Sequence, residues 1–439
     1  MFEGTARKTI ASSAAVAAPE VKVRTTCRSC GGGRLQEALD LGSHFVSTFP
    51  DVPDAACIPR VPLELLLCGD CSLLQLRHTV TGDWLYRRYW YKSGVNPAMR
   101  RALADITRRA AEFVGLASGD SVLDIGCNDG TLLRSYEVPG IHRVGFEPAE
   151  NLACEAARGG NQIIPDFFGA RRVAGQRFRV VTSIAMFYDL EDPNVFVADI
   201  ADVLAPDGVW VIEMHYLPLT LARNAFDAIC HEHLEYYSLA SLEPLLARHG
   251  LVVADVETND VNGGSIRAYI VHRDSASASP AASQSAQCAR VEAMHAQELS
   301  LALDRAETYR EFHARISRIG DCLRAWLARE RAQGRTVDVY GASTKGNTLL
   351  QVFGIDNSLI RAAAERNPEK WGKYTVGTWI PIVSEEESRL CANDFLVLPW
   401  HFLPEISDRE RSFLAHGGRL VAPLPEPRFI DSAGVHALA

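Results

Sequence analysis

The chain has 439 residues, 47% of them hydrophobic and 23% charged, with a formal net charge of −9. That length implies two or three domains, each able to bury its own core, and no apolar run approaches the ~20 residues that span a bilayer. An acidic balance without a basic stripe argues against nucleic acid or an anionic membrane surface as partner.

Residues 1–22 read as a disordered leader: Arg7 and Lys8 precede Ala11-Ser12-Ser13-Ala14-Ala15, which is too weakly apolar for a secretory signal. A module over 23–85 follows. In it Cys27-Arg28-Ser29-Cys30 is answered by Cys68-Gly69-Asp70-Cys71. Each C-x-x-C knuckle offers two thiolates to one tetrahedral ion, so Cys27, Cys30, Cys68 and Cys71 are expected to hold zinc. A redox pair or chance core cysteines are the alternatives. A closed shell of four sulfurs leaves no open position, which makes the site structural, and so small and Pro-rich a module needs the metal to fold. Cys57 stands outside the pattern. Eleven cysteines arranged this way suit a reducing cytoplasm better than a disulfide scaffold.

A domain over 86–273 begins with the aromatic run Tyr86-Arg87-Arg88-Tyr89-Trp90-Tyr91. It packs as a hinge or turns phenols into a cleft; the sequence leaves both open. The spacing of Met99, Leu103, Ile106 and Phe113 predicts a helix from about Asn96 to Gly115. From Asp120 strands and helices alternate, as in a doubly wound α/β sheet. Strands are expected over 121–125, 143–147, 178–184, 208–214, 251–256 and 266–272, and helices over 130–136, 149–158, 192–205 and 239–249.

The first strand runs into Asp124-Ile125-Gly126-Cys127-Asn128-Asp129-Gly130, and Glu147-Pro148 ends the second strand, about 21 residues past Gly126. A strand, a glycine turn and an acid at that distance suit an adenosine, with Glu147 on the ribose hydroxyls. The turn lacks the G-x-G-x-x-G order and resembles the first motif of class I S-adenosylmethionine-dependent methyltransferases; a dinucleotide site or a plain structural turn is the alternative. Phe167, Ala185 and Tyr188 fall where later strand ends meet such a cofactor.

The densest chemistry is Asp227-Ala228-Ile229-Cys230-His231-Glu232-His233-Leu234-Glu235-Tyr236-Tyr237. His-x-His could ligate a metal, although H-E-x-x-H spacing is absent. It could be a surface loop, or one imidazole could be a general base beside a carboxylate; placement near a methyl-donor site favours the base. Asn262-Gly263-Gly264-Ser265-Ile266-Arg267 reads as a tight turn entering a strand. Residues 274–290 begin Ser/Ala-rich and read as a linker. Over 291–439 a helical connection, with Leu299, Leu303, Phe312, Ile316, Ile319 and Leu323 as its stripe, leads to a second Rossmann-like unit. There Val337–Tyr340 enters Gly341-Ala342-Ser343-Thr344-Lys345-Gly346-Asn347. The turn suits an anion at a helix N-terminus, or is a plain Rossmann-like turn. Residues 362–367 and 397–400 are expected at strand ends on the same crevice.

Taken in order, the knuckles, D-I-G-C-N-D-G, F-E-P, C-H-E-H-L-E-Y-Y, N-G-G-S-I-R and Y-G-A-S-T-K-G-N-T resemble the sugar C-methyltransferases. The resemblance implies three parts: an N-terminal zinc module, a central class I methyltransferase domain and a C-terminal Rossmann-like domain. S-adenosylmethionine would be the cofactor, held by Asp124, Gly126, Cys127, Asn128, Gly130, Glu147, Pro148, Phe167 and Ala185, with zinc as a structural metal. The substrate would be a nucleotide-linked 4-keto-deoxysugar methylated at C3 through an enolate. His233 would be the base, Glu232 would hold or tune it, and Tyr91 would stabilise the enolate or position the sugar. Tyr188, Cys230, His231, Asn262, Tyr340, Ser343, Thr344, Lys345 and Asn347 would contact substrate. Cys230 stands where the family commonly places an aromatic hydroxyl, and a thiol is the weaker donor. A monomeric cytoplasmic enzyme is expected; sugar O-methylation and non-catalytic nucleotide-sugar binding are the other readings.

Overall fold

The computed structural model describes residues 20–54, 58–87, 89–278 and 281–438. Cys57 and residues 1–19 lie outside them. Val21 and Lys22, expected in the leader, instead pair with Val80 and Thr79 in a two-stranded ribbon. Alternation in Leu35–Phe45 and Arg60–Cys68 buries one face of an antiparallel sheet, which Leu74–Leu76 extends. The outermost strand of this sheet comes from far along the chain: Glu235 and Tyr236 pair with Gln75 and Leu74.

The central domain is a seven-stranded sheet in the order 251–259, 265–272, 204–215, 178–184, 121–125, 142–146, 162–164. The last five in that order run parallel, as expected of a doubly wound sheet. Ser265–His272 is antiparallel to both neighbours because Val261–Gly264 folds it back as a hairpin. Strand order reverses between 121–125 and 178–184, which opens a crevice at the carboxyl ends of the strands. Helix Pro97–Val114 starts where Asn96 accepts a hydrogen bond from the Ala98 N–H and stops at Gly115, φ 62°.

The expected linker is partly helical. Helix Ala281–Leu299 begins inside it, since Ala and Gln favour a helix once a partner is present, and the chain breaks before helix Ala306–Ala332. Leu299 lies at that break and is exposed, so it leaves the apolar stripe; Leu303, Phe312, Ile316, Ile319 and Leu323 are buried. The C-terminal sheet orders 382–384, 363–365, 337–340, 394–397, 419–422, 428–431, 434–437, parallel except for the last two. Among the described residues no helix is long and apolar enough to cross a membrane.

Arg267 closes the hairpin motif with a buried ion pair, its Nε donating to Glu213 at 2.7 Å, while its Nη1 donates to both Asp105 and Glu257. Removing one member strands the other charge. Arg267→Met is expected to cost about 3–5 kcal/mol in denaturant unfolding, and the double change Arg267→Met with Glu213→Gln to recover much of it.

Candidate active site

Zinc is the first group to test against the side chains. Cys27 and Cys71 place their sulfurs 3.6 Å apart, and Cys30 and Cys68 theirs 3.5 Å apart. Four Zn–S bonds of ~2.3 Å make a tetrahedron with edges of ~3.8 Å, whereas a disulfide needs ~2.05 Å. The four cysteines therefore fit a zinc ion. The N–H groups of Gly32 and Asp70 donate to the sulfurs of Cys30 and Cys68, and Gln75 Nε2 donates to Cys27 at 3.2 Å. Gln75 is also the residue that pairs with Glu235, so the metal shell is joined to the segment carrying Glu232 and His233 through one strand.

A cleft of about 2050 Å³ lies where the zinc module, the central domain and the C-terminal domain meet. On the central-domain side it is lined by Asp124, Gly126, Cys127, Asn128, Glu147, Pro148, Phe167 and Ala185. Gly126 adopts φ 71°, a left-handed conformation that keeps the turn bare of side chain. Glu147 shapes the turn: one carboxylate oxygen accepts the Asn128 N–H and the other the Ala149 N–H, both at 2.7 Å. Each oxygen retains a lone pair for a ribose diol. Asp124 accepts the Thr182 hydroxyl at 2.7 Å, and burial pushes its carboxyl up to about 7. Gly130 does not line this cleft; it lets the turn pack on helix Glu150–Ala156, where a Cβ would sit 2.8 Å from the Ala156 carbonyl.

The C-terminal domain adds Tyr340, Ser343, Thr344 and Lys345 to the lining, and the central hairpin adds Asn262. Tyr340 donates its hydroxyl to Glu410 at 2.7 Å. Lys345 donates to the Asn262 carbonyl at 2.9 Å. Asn347 is not part of this lining; it binds Ser47 and Thr48 and ties the C-terminal domain to the zinc module.

Between the walls stand Glu232 and His233. His233 Nδ1 donates to the Ala228 carbonyl at 2.7 Å, which leaves Nε2 as a free lone pair. The Tyr188 ring packs edge-on, 4.4 Å from the imidazole centroid. Burial pushes the imidazole down to about 3, helped by Lys345 and opposed by the Ala228 bond, so it is neutral at rest. Burial pushes Glu232 up to about 7, while hydroxyl donation from Thr344 and Tyr89, each at 3.4 Å, pulls it back. The Cys230 sulfur, a Glu232 oxygen and a His233 nitrogen lie within 4.8 Å of one another. Glu232 thus sits beside the imidazole without bonding it; Ala228 does the orienting.

Two expected contacts move elsewhere. His231 Nε2 bonds the Val61 carbonyl of the zinc module at 2.8 Å, so the two histidines do not share an ion or a substrate. Tyr91 lines the cleft beside the cofactor turn, where its carbonyl accepts from Asn128 at 3.0 Å. The hinge phenols that reach the catalytic pair are Tyr86, which donates to the Glu232 carbonyl at 2.9 Å, and Tyr89. Cys230 is buried behind the cleft wall. Sequence reasoning missed His215, Asp227 and His401 as cleft residues. His215 could have been found as the last residue of a central strand, and Asp227 as the first residue of the dense motif that holds His233; His401 carries no local signal.

Three successive family models match: "Putative zinc binding domain" over 27–86, "Methyltransferase domain" over 96–256 and "C-methyltransferase C-terminal domain" over 260–425. The fold and this site define an S-adenosylmethionine-dependent methyltransferase carrying a four-cysteine zinc site. C-methyltransferase NovU of Streptomyces niveus is 35% identical over 416 residues, 92% of this chain and 97% of that protein. The chain belongs to the C-methyltransferase family. Partial matches among solved structures include the plantazolicin methyltransferase BpumL, at 14% identity over 41% of this chain and 86% of that one, TM-score 0.33. Another is magnesium protoporphyrin IX methyltransferase (ChlM) from Synechocystis PCC 6803, at 15% identity over 43% and 89%, TM-score 0.32.

Because Gln75 joins the metal shell to the segment carrying Glu232 and His233, zinc loss should act at a distance. Cys30→Ser, or chelation of zinc, is expected to cut turnover by about 10–100-fold while S-adenosylhomocysteine affinity, measured calorimetrically, stays near wild type.

Proposed function

We propose that this enzyme methylates C3 of a nucleotide-linked 4-keto-deoxysugar, with His233 as general base. One observation carries the reading: a neutral imidazole with its Nε2 lone pair free stands between a methyl-donor turn and a second Rossmann-like turn. The C-methyltransferase relative favours a carbon nucleophile over an oxygen one. A carbon becomes nucleophilic here only if an adjacent ketone acidifies its proton, and a base must then remove that proton.

S-adenosylmethionine, when bound, supplies an electrophilic methyl group that the enolate carbon attacks in line. Gly126, Cys127, Asn128, Glu147, Pro148, Phe167 and Ala185 would hold it, with Asp124 on the floor beneath. His233 Nε2 takes the C3 proton. Nδ1–H stays on the Ala228 carbonyl throughout, so the ring does not turn as it charges. Glu232, when ionised, stabilises the imidazolium through space and so raises the proton affinity that burial has lowered. Tyr89 and Thr344 hold that carboxylate from opposite modules. Asn262, Ser343 and Thr344 face the nucleotide sugar, and Tyr188 packs where the ring would pass the imidazole.

The direct test incubates the protein with labelled methyl donor and a panel of nucleotide-linked 4-keto-deoxyhexoses, then locates the label by mass spectrometry and NMR. Label on C3 supports the reading; label on a hydroxyl oxygen, or none on any substrate, overturns it. His233→Asn is expected to lower turnover by about 10²–10⁴-fold with S-adenosylhomocysteine binding unchanged. Glu232 is ionised above a pKa of about 7 and neutral below it, so kcat/KM should rise with pH through that value. Glu232→Gln should be slower and should lose that limb of the pH–rate profile.

A further inference from the structure

We propose that Lys345 is the group that stabilises the enolate oxygen, a catalytic part played by the C-terminal domain on the reaction of the central one. The inference rests on the C-methylation reading above. It starts from a charge without a partner. Lys345 is the second residue of helix Thr344–Phe353, placed there by the turn after Val337–Tyr340. Its ammonium donates to the Asn262 carbonyl at 2.9 Å, and among the described residues it forms no ion pair. A cation set deep in a protein, bonded to one carbonyl and with no carboxylate in contact, is costly unless an anion arrives.

The surroundings say where that anion forms. Lys345 lines the same cleft as His233, His215, His401 and Asp227. Burial, reinforced by Lys345, keeps all three imidazoles neutral, so none of them competes for negative charge. Asp227 is buried, accepts the Trp400 indole N–H at 3.2 Å through one oxygen, and has no partner for the other. It balances the ammonium at longer range without occupying it. The neighbouring Thr344 hydroxyl bonds Glu232, which fixes the start of this helix against the catalytic pair.

A substrate diphosphate is the obvious rival for this cation, but it leaves the sugar from C1, across the ring from C4. A donor near the imidazole that works at C3 lies on the C4 side. Of the phenols nearby, Tyr89 already donates to Glu232, Tyr91 is held by the cofactor turn through its carbonyl, and Tyr188 packs its ring against the imidazole; Lys345 brings a full positive charge, which a neutral phenol does not. In the enolisation step the C3–H bond breaks and the proton goes to His233 Nε2. Its electron pair forms the C3–C4 double bond, and the carbonyl π pair moves onto O4. The Lys345 ammonium donates a hydrogen bond to that oxygen and keeps its proton.

The test uses the full-length enzyme in D₂O with thymidine-diphosphate- and uridine-diphosphate-linked 4-keto-6-deoxyhexoses, with and without S-adenosylhomocysteine and with no methyl donor. The readout is deuterium entering C3 above the enzyme-free rate. Wild type is expected to catalyse exchange. Lys345→Met and Lys345→Gln should lower the rate at saturating sugar by about 10²–10³-fold, as loss of one oxyanion donor does. Sugar Kd should change less than tenfold, and unchanged S-adenosylhomocysteine affinity should show that the variants are folded. Lys345→Arg, which keeps a donor and its charge, should recover part of the rate. Wild-type exchange at saturation in both neutral variants, with Kd raised tenfold or more, would make Lys345 a phosphate anchor and overturn the proposal. No exchange by wild type under either condition, with methylation of a hydroxyl when donor is added, would instead sink the C-methylation reading itself.

Discussion

The position of the His233 imidazole depends on a strand that its own domain does not keep. After the central strand 204–215 the chain leaves the methyltransferase sheet, and Glu235–Tyr236 joins the zinc module's sheet as its edge. The Leu76 N–H also donates to the Leu234 carbonyl at 2.8 Å, and the His231 ring bonds Val61. His233 sits inside this captured stretch, one residue before Leu234. Each such backbone bond contributes only about 1 kcal/mol, so what they supply is mainly register. Register decides which of two alternating histidines faces the cleft.

Burial makes that arrangement rigid. A single hydrophobic cluster runs from Leu63 and Leu65 of the zinc module through Leu217, Phe226, Ile229 and Leu234 to Phe353, Phe395 and Leu420 of the C-terminal sheet. The zinc module and the C-terminal domain therefore share one core, with a small cluster of Val46, Val61, Val80 and Leu85 besides in the zinc module, and the segment carrying His233 is the material between them. The C-terminal domain clasps the zinc module in addition through Asn347 and through Gln351, which bonds both N–H and carbonyl of Phe45. The two Rossmann-like units also reuse one device. Glu365 caps its turn as Glu147 does, accepting the Ala342 N–H with one oxygen and the Arg366 and Asn367 N–H groups with the other. Both turns are thus held open by a carboxylate from the next strand, and they face each other across the same cleft.

What was legible in the sequence was what local physics determines. The strand period, the glycine turn, the acid some twenty residues on and the paired knuckles all act within short stretches, and the sheets follow them closely. The parts that failed depend on contacts between distant segments. Three tyrosines within six residues look alike in sequence; only the hinge's path over Asn128 decides that Tyr89 reaches Glu232 while Tyr91 faces the cofactor turn. His231 and Asn347 sit in chemically dense motifs yet serve docking, because their partners, Val61 and Ser47, lie in a different module. The Ser/Ala stretch continues as a helix because helix Ala281–Leu299 packs on strand 251–259, as the Arg290–Asp255 ion pair marks. A stripe of apolar residues predicts a helix but not where it breaks, which is why Leu299 ended outside the core.

Cys230 stands where the resemblance leads to the expectation of an aromatic hydroxyl, and its surroundings show how a thiol behaves there. The thiol is buried, and desolvation, reinforced by the nearby Glu232 and Asp189 carboxyls, holds it well above its ordinary pKa, so it stays a neutral, weak donor. Tyr236 cannot replace a missing phenol, since its hydroxyl is committed to the His233 carbonyl at 3.0 Å. On the central-domain side, then, this segment presents an imidazole and a carboxylate, with the Tyr188 ring packed against the imidazole. In the proposed reaction, charge developing on the ketone oxygen would be met from the C-terminal domain, where Thr344 engages Glu232 and the Lys345 ammonium follows one residue on. With the proposed base on one module and the proposed counter-charge on another, enolisation would depend on the modules being docked. The shared hydrophobic core and the strand lent to the zinc sheet are what keep them docked.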